Sequence, residues 1–364
     1  MAKAKAESKR DGKFKVGAVG IGGIFNACHA PAWLKNPNVE LLAVCDIVEE
    51  KAARFAKANG VKHVFADYKE MIQALKLDVV DVTTPNYLHS EIAVAALNRG
   101  MNVFCEKPDA VSPAEAQRMA DAASKSGKLL MVMRNNRFNS SSAFLRKYIQ
   151  AGHMGDIYTG RCGWIRRRGV PGAGGWFTTK AQSGGGPLID LGVHILDLSI
   201  WLMGDPKPVS VMGATYCKFA ETKLSDSVHS GFGEAKAGGT FDVEDLASGF
   251  VRFDNGATLQ IEFSWASNIE AERVFLELRG TKAGLTLDVP DGLKIFTEIE
   301  GTLCDIAPRL AGMPALPHAS NIHHFVDCLL GQAEPTIRPE HGVDMIKILS
   351  AIYQSAKTGQ AVQL

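Results

Sequence analysis

The sequence predicts a two-domain α/β protein: a doubly wound parallel sheet, then an α+β domain built on a mostly antiparallel sheet. Three observations carry this. The chain has 364 residues, too many for one ordinary core, and 46% of them are hydrophobic. Through the first third, short apolar runs rotate with helical periodicity, the pattern of right-handed crossovers that cover a parallel sheet on both faces. From about Gly155 that rotation gives way to in–out alternation.

Element by element, strand-like runs fall at Lys15–Val19, Val39–Cys45, Val79–Thr83, Asn102–Cys105 and Leu129–Met133. Helical stretches lie between them at Glu49–Ala58, His89–Arg99 and Pro113–Ser126. Ser112 and Glu115 flank the start of the last of these in capping-box spacing. In the second part, Ala247–Phe253, Thr258–Trp265 and Val274–Leu278 read as antiparallel strands, with Asp254-Asn255-Gly256 as a hairpin turn between the first two. Helical periodicity returns over Asn321–Leu330 and Gly342–Lys357, and two Gly-rich loops, Gly169–Gly186 and Glu221–Gly239, interrupt the pattern.

Composition excludes several classes. A net charge of +1 gives no electrostatic case for nucleic acid or an anionic membrane as partner. No apolar run reads as long enough to span a bilayer, and the basic N-terminus lacks the apolar centre of a secretory signal. Residues 1–13 read as a disordered tail. The seven cysteines are scattered without a CxxC pair, which fits reduced thiols in a cytoplasmic protein, mostly packed as small apolar residues, and no metal site is expected.

Gly20-Ile21-Gly22-Gly23-Ile24-Phe25 follows the first strand. Glycines at a strand-to-helix turn let the backbone approach a pyrophosphate and aim a helix N-terminus at it. Phe25 stands where a third small residue is expected, so the fingerprint is incomplete. Asp46 ends the second strand about twenty residues on, where an acid binds a ribose diol, and Ile47 follows rather than an arginine for a 2′-phosphate. Together they predict a dinucleotide site that prefers NAD to NADP.

Two further strands end in Thr83-Thr84-Pro85-Asn86, with His89 opening the next helix, and in Cys105-Glu106-Lys107-Pro108. Ligands of open α/β sheets bind beyond the carboxyl ends of strands, so both segments face the nicotinamide half of such a site. Lys107 precedes a proline and is held extended. Further on, the greasy run from Gly185 to Gly204 carries Asp190, His194 and Asp197 at helical spacing, which stacks them on one face. A carboxylate and an imidazole one turn apart and shielded from water suit proton transfer; a self-contained Asp–His bond that anchors the helix fits the same spacing.

Taken in order, Gly-Ile-Gly-Gly, Asp46, Thr-Thr-Pro-Asn-x-x-His, Glu-Lys-Pro and Gly-Gly-x-x-x-Asp-x-Gly-x-His-x-x-Asp resemble the Gfo/Idh/MocA family of nicotinamide-dependent sugar and inositol oxidoreductases. The resemblance runs from about Val16 to the C-terminus. It implies a Rossmann domain over 14–135, a substrate-binding and oligomerisation domain over 136–339 with a large open-faced sheet, and a C-terminal segment, about 340–364, packing back on the first domain. It also implies a homo-oligomer, dimer or tetramer, and a Lys107–Pro108 peptide that is cis. Lys107, Asp190 and His194 become the catalytic trio. Gly20, Gly22, Gly23, Ile24, Asp46, Thr84, Pro85, Asn86, His89, Glu106 and Lys107 become the cofactor site. Asn136, Arg166 and Trp176 join the trio as substrate contacts.

The expected activity is NAD-dependent hydride transfer from a ring secondary hydroxyl of a sugar, sugar derivative or inositol. His194 serves as base on the reacting hydroxyl, Lys107 holds that oxygen, and Asp190 orients the histidine or binds a second hydroxyl. A Lys107 proton relay with His194 as orienter is the alternative assignment. Two rival functions share the motifs: a glycosidase acting through transient oxidation at C3, and a non-catalytic nucleotide sensor. Arg134 to Phe138 either line the cleft or form interdomain salt bridges, while Trp164 and Trp176 either stack on a sugar face or pack as ordinary aromatics. His323 and His324 read as packing or surface residues, and Glu244 and Asp245 as structural.

Overall fold

The computed structural model describes residues 12–227, 231–288, 292–310 and 316–364. Most of the expected N-terminal tail, and part of the second Gly-rich loop, lie outside them. Two sheets organise the described residues. The first joins β1 (Phe14–Val19), β2 (Val39–Cys45), β3 (His63–Phe65), β4 (Val79–Val82), β5 (Asn102–Cys105) and β6 (Leu130–Val132) in the order 3-2-1-4-5-6, all parallel. That order reverses between β1 and β4, the point where doubly wound sheets open a crevice at the carboxyl ends of their strands. The short β3 lies outside the runs marked by apolar patterning, because its residues are exposed or half-buried and show no apolar face.

Helices α1 (Ala30–Lys35), α2 (Glu49–Asn59), α3 (Tyr68–Ala74), α4 (His89–Asn98) and α5 (Pro113–Ser126) connect these strands. Ser112 caps α5 by accepting from the Glu115 N–H. The reciprocal half of the capping box is replaced by a bond from the Ser112 hydroxyl to the Glu115 carboxylate, 3.2 Å.

The second sheet follows α6 (Ser140–Gln150). Its strands are β7 (Ile157–Ile165), β8 (Pro208–Tyr216), β9 (Leu246–Phe253), β10 (Thr258–Ser264), β11 (Arg273–Gly280), β12 (Ala283–Asp288), β13 (Gly292–Ile299), β14 (Thr302–Ile306) and β15 (Val362–Gln363), in the order 14-13-12-11-7-10-9-8-15. Only β7 and β10 pair in parallel. The Asp254–Gly256 turn forms as its residues require, with Gly256 at φ 83° and the Asn255 side chain accepting from the Ala257 N–H. Val211, Val251, Leu259, Ile261 and Leu276 point to the packed face, while the opposite face leaves Met212, Tyr216 and Phe250 exposed.

Helix α8 (Val193–Leu202) and the π-helical turn before it, Leu188–Gly192, cover the packed face, and the short α7 (Lys180–Ser183) precedes them. The whole stretch Lys180–Leu202 is long and apolar enough to cross a membrane by length and composition, contrary to the sequence reading. Its apolarity has another cause here, since 83% of its most apolar part is buried inside the protein. Helix α9 (Pro317–Leu329) seals the nucleotide-binding half, where Phe325 packs edge-on against Trp33 and Phe104. Helix α10 (Pro339–Thr358) lies against both α5 and β8, so it touches both halves. Of the cysteines, Cys45, Cys105 and Cys162 are buried, Cys217 is exposed and the others are half-buried, all as free thiols.

A buried ionic clamp ties the halves together. Asp197 of α8 accepts from Arg134 (3.0 Å) and from Arg137 (2.7 Å), and Arg134 also pairs with Asp109 beyond β5. Removing one partner of such a set strands the others in a low-dielectric interior. Asp197→Ala is therefore expected to destabilise the protein by about 3–5 kcal/mol, measured by urea unfolding. Loss of less than about 1 kcal/mol would show the clamp to be solvated.

Candidate active site

The crevice begins where β1 ends. Gly20 sits at φ 93°, and a Cβ there would lie 2.7 Å from the Thr83 carbonyl oxygen, so the turn closes only with glycine. Around Gly22 and Gly23 the space is open, with nothing within 4 Å of an added Cβ. The chain then enters a π-helical turn, Phe25–His29, before α1. This turn explains the bulky residue in the glycine fingerprint. Phe25 is fully buried and meets the Phe55 ring edge-on at 5.1 Å, inside the core and away from the glycine turn.

Asp46 directly follows β2 and is fixed by two backbone donors, the Ile21 N–H at 2.8 Å and the Val48 N–H at 2.9 Å. Each oxygen keeps a lone pair for a ribose hydroxyl. The neighbouring Ile47 is 90% exposed and brings no cation to the site. Thr84, just beyond β4, holds a buried hydroxyl with no hydrogen-bond partner, an orphan of the kind a bound ligand satisfies. The glycine cradle, the fixed carboxylate and this orphan fit a dinucleotide.

Three of the residues expected there have hydrogen-bond partners within the protein. His89 is fully buried, with its two ring nitrogens at the carbonyls of Pro108 (2.7 Å) and Thr84 (2.9 Å), so it holds two loops in place. Asn86 donates 2.8 Å to the Ser183 carbonyl in the second half. Glu106 turns inward, where its carboxylate accepts from His29 and from the Lys107 N–H. Ile24 and Pro85 are half-buried at the crevice edge.

At the carboxyl end of β5 the Lys107–Pro108 peptide is cis, and the lysine reaches across to the other half. Its ammonium donates to Asp190 Oδ1 at 2.7 Å and to the Asp190 carbonyl at 3.1 Å. Asp190 belongs to the π-helical turn before α8, whose approach is set by glycines: a Cβ at Gly185 or Gly186 would collide with Tyr353 or Glu244. Glu244 accepts from the N–H groups of Gly186 and Leu188 and from Tyr353, which pins this turn. The other Asp190 oxygen accepts from the Trp265 indole at 3.0 Å.

Both Asp190 oxygens are thus engaged away from His194. The imidazole, one turn on, makes no hydrogen bond among the described residues, so the expected Asp–His bond is absent and Asp190 orients the lysine. Burial, followed by the Lys107 charge, lowers the His194 pKa to about 3. Burial raises the Asp190 carboxyl, but Lys107 and Arg166 overcome this and hold it down at about 2. A carboxylate, an ammonium and a neutral imidazole therefore face one cleft.

Arg166 forms part of the wall, buried over the Trp164 ring at 5.1 Å, and its Nε lacks a hydrogen bond. Trp164 lies 6.1 Å from the His194 ring and donates to Glu272 at 2.7 Å. Trp176 stacks on Phe177 at 3.8 Å among the Gly-rich loops. Asn136 is half-buried, and its side-chain oxygen accepts from Asn135 at 3.3 Å. Asp197 leaves the stripe for the Arg134–Arg137 clamp, the salt-bridging alternative for that segment. The sequence reading missed His29, Trp265, Glu272 and His318. His318 opens α9 and acts electrostatically on His194 and Glu106. Each lies far along the chain from its partners and carries no local motif.

Comparison with known proteins places this geometry. Residues 14–134 match the model described as "Oxidoreductase family, NAD-binding Rossmann fold", and residues 143–286 match the GFO/IDH/MocA C-terminal domain. The chain is 35% identical to D-glucoside 3-dehydrogenase of Escherichia coli over 351 residues, 96% of this chain and 97% of that one. Levoglucosan dehydrogenase of Pseudarthrobacter phenanthrenivorans is 29% identical over 75% of this chain and 73% of its own. The crystal structure of GenD2 from gentamicin A biosynthesis, in complex with NAD, superposes with a TM-score of 0.78 at 26% identity, covering 100% of this chain and 99% of that one. With both domain models matched in order around the crevice and the lysine–aspartate pair, the chain belongs to the Gfo/Idh/MocA family of oxidoreductases.

Proposed function

We propose that this protein is an NAD-dependent dehydrogenase of a ring secondary hydroxyl, with glucosides oxidised at C3 as the first substrates to examine. The observation that carries the reading is the Lys107–Asp190 contact, which sets a charged amine beside a neutral imidazole at the mouth of the crevice. The likeness to a D-glucoside 3-dehydrogenase over nearly the whole chain supports the substrate class. The Asp46 carboxylate supports NAD over NADP, because an acid fixed just beyond the second strand suits a ribose diol and would repel a 2′-phosphate.

When bound, an oxidised nicotinamide supplies the hydride acceptor. The chain's own groups handle the hydroxyl. His194, kept neutral, accepts the hydroxyl proton, while Lys107 donates to the same oxygen and stabilises the charge that develops there. Asp190 aims the amine and holds its positive charge in place. Arg166 and Trp164 offer a donor and an aromatic face to the remaining ring hydroxyls and C–H groups.

A panel of methyl glucosides, free aldoses and inositols incubated with NAD tests the reading by the absorbance of reduced nicotinamide. Stoichiometric NADH with a glucoside supports it; glycoside cleavage with no net NADH would favour elimination chemistry instead. NAD is expected to exceed NADP at least tenfold in kcat/KM, and Asp46→Ala should narrow that ratio. Lys107→Ala should lower kcat by about 10²–10⁴-fold, the usual range for a group acting on the reacting proton or oxygen, with NAD affinity retained. Near-normal turnover in that variant would refute its assigned role.

The pH dependence has a definite sign. His194 has a folded pKa near 3, below its ordinary 6.5, so it is neutral in the native state across the neutral range. The acid limb of kcat/KM should therefore show no ionisation near 6.5. The unfolded chain binds that proton first, so native stability should fall as pH drops from 6.5 toward 3, a slope that His194→Gln reduces. An acid limb titrating at 6.5 that disappears in His194→Gln would contradict the buried, neutral imidazole.

A further inference from the structure

Beneath the crevice lies a buried cluster that the reaction does not use directly. His29, the last residue of the π-helical turn, places Nδ1 at 3.0 Å from Asp81 on β4 and Nε2 at 2.9 Å from Glu106 beyond β5. All three side chains are buried, and Trp33 donates to the second Asp81 oxygen at 2.7 Å. The other Glu106 oxygen accepts the Lys107 backbone N–H at 3.0 Å. An ionised carboxylate only accepts, so an imidazole between two of them must donate from both nitrogens and carry a positive charge.

We propose that His29 is a positioning residue for Lys107: by clamping Asp81 and Glu106 together it fixes the carboxylate that holds the lysine backbone, and so joins the nucleotide-binding turn to the site amine. The inference rests on the reading of Lys107 as the residue that acts on the substrate oxygen. Its reach is direct, because the turn carrying His29 starts two residues after the Gly20–Gly23 cradle. A shift in that turn moves Glu106, and Glu106 moves the residue next to it.

The electrostatics support the clamp. Burial alone would strip the His29 proton, but Asp81 and Glu106 raise its pKa to about 10. Burial would likewise raise Glu106, and His29 with the nearby His318 and Lys107 charges holds it at about 2. The groups facing His29 are Asp81 from β4, Glu106 from the end of β5, the Phe104 ring of β5 at 5.7 Å and His318 from α9. Because the folded value exceeds the unfolded 6.5, the clamp is complete below 6.5 and is lost as pH rises through about 10.

A neutral side chain at position 29 leaves two buried carboxyl groups without a cation, and one of them keeps a proton until the pH is raised. His29→Gln should therefore lower kcat modestly at pH 6 and at least tenfold at pH 9, while the dissociation constant for NAD stays within about threefold. A pH profile parallel to wild type, with kcat within twofold, would overturn the proposal, since a merely structural role changes folded yield without tilting the profile. Glu106→Gln keeps a carbonyl for the Lys107 N–H yet ends the ion pair. Its loss combined with that of His29→Gln should exceed the worse single variant by no more than about twofold. Multiplying losses would show that the two residues act independently.

The charge state is readable in the wild-type protein if His29→Gln does not fold. Imidazole nitrogen shifts should report a doubly protonated, buried histidine at pH 8.5, and a neutral ring there would overturn the clamp. Lys107→Ala separates the two failures. Undiminished turnover in that variant removes the role of the lysine, whereas the nitrogen shifts judge the clamp alone.

Discussion

The contact between Lys107 and Asp190 is the constraint around which the molecule is arranged. Its partners come from different sheets, one at the carboxyl end of β5 and one in the turn before α8, and both side chains are less than a fifth exposed. Charges so placed are tolerated only when paired and hydrogen-bonded, so the halves must meet at this geometry. The Arg134, Arg137, Asp197 and Asp109 clamp repeats the device, a second buried ionic contact between the halves.

The same contact sets the proton chemistry. An ammonium beside an imidazole favours the neutral ring, and burial acts in the same direction. Under the proposed function, the lysine keeps the imidazole free of a proton and presents the donor that would offset negative charge on the substrate oxygen. Asp190 restrains the amine without occupying the histidine, because Trp265 takes its second oxygen. That division of partners leaves the His194 nitrogens without a hydrogen bond among the described residues.

Much of the fold was legible because it is written locally. Strand and helix periods, the Asn255–Gly256 turn and the glycine cradle each depend on neighbours a few residues apart, and the structure forms them close to where the patterns lie. Candidate site residues were legible where strands end, as at Asp46, Thr84 and Lys107, since a parallel sheet collects those ends in one crevice. The stripe of Asp190, His194 and Asp197 was misleading in its last member. Helical spacing sets three side chains on a face, but only the neighbouring elements decide which partner each one meets. Trp176 was ambiguous for a related reason: an aromatic in a Gly-rich loop has no period to aim it, and its ring stacks on Phe177.

The sequence by itself determined the order of elements, the nucleotide crevice and the identity of the lysine, aspartate and histidine that meet beside it. The elements and the crevice follow from backbone preferences and apolar periodicity, which act over a few residues, whereas the choice of that trio rests on the resemblance of the ordered motifs to the family. Tertiary structure alone decided which charges pair: Asp190 with Lys107 and Trp265, Asp197 with two arginines, and His29 with Asp81 and Glu106. Coulomb and hydrogen-bond partners are chosen by proximity in space and by the burial that makes an unpaired charge costly, and neither is set by distance along the chain.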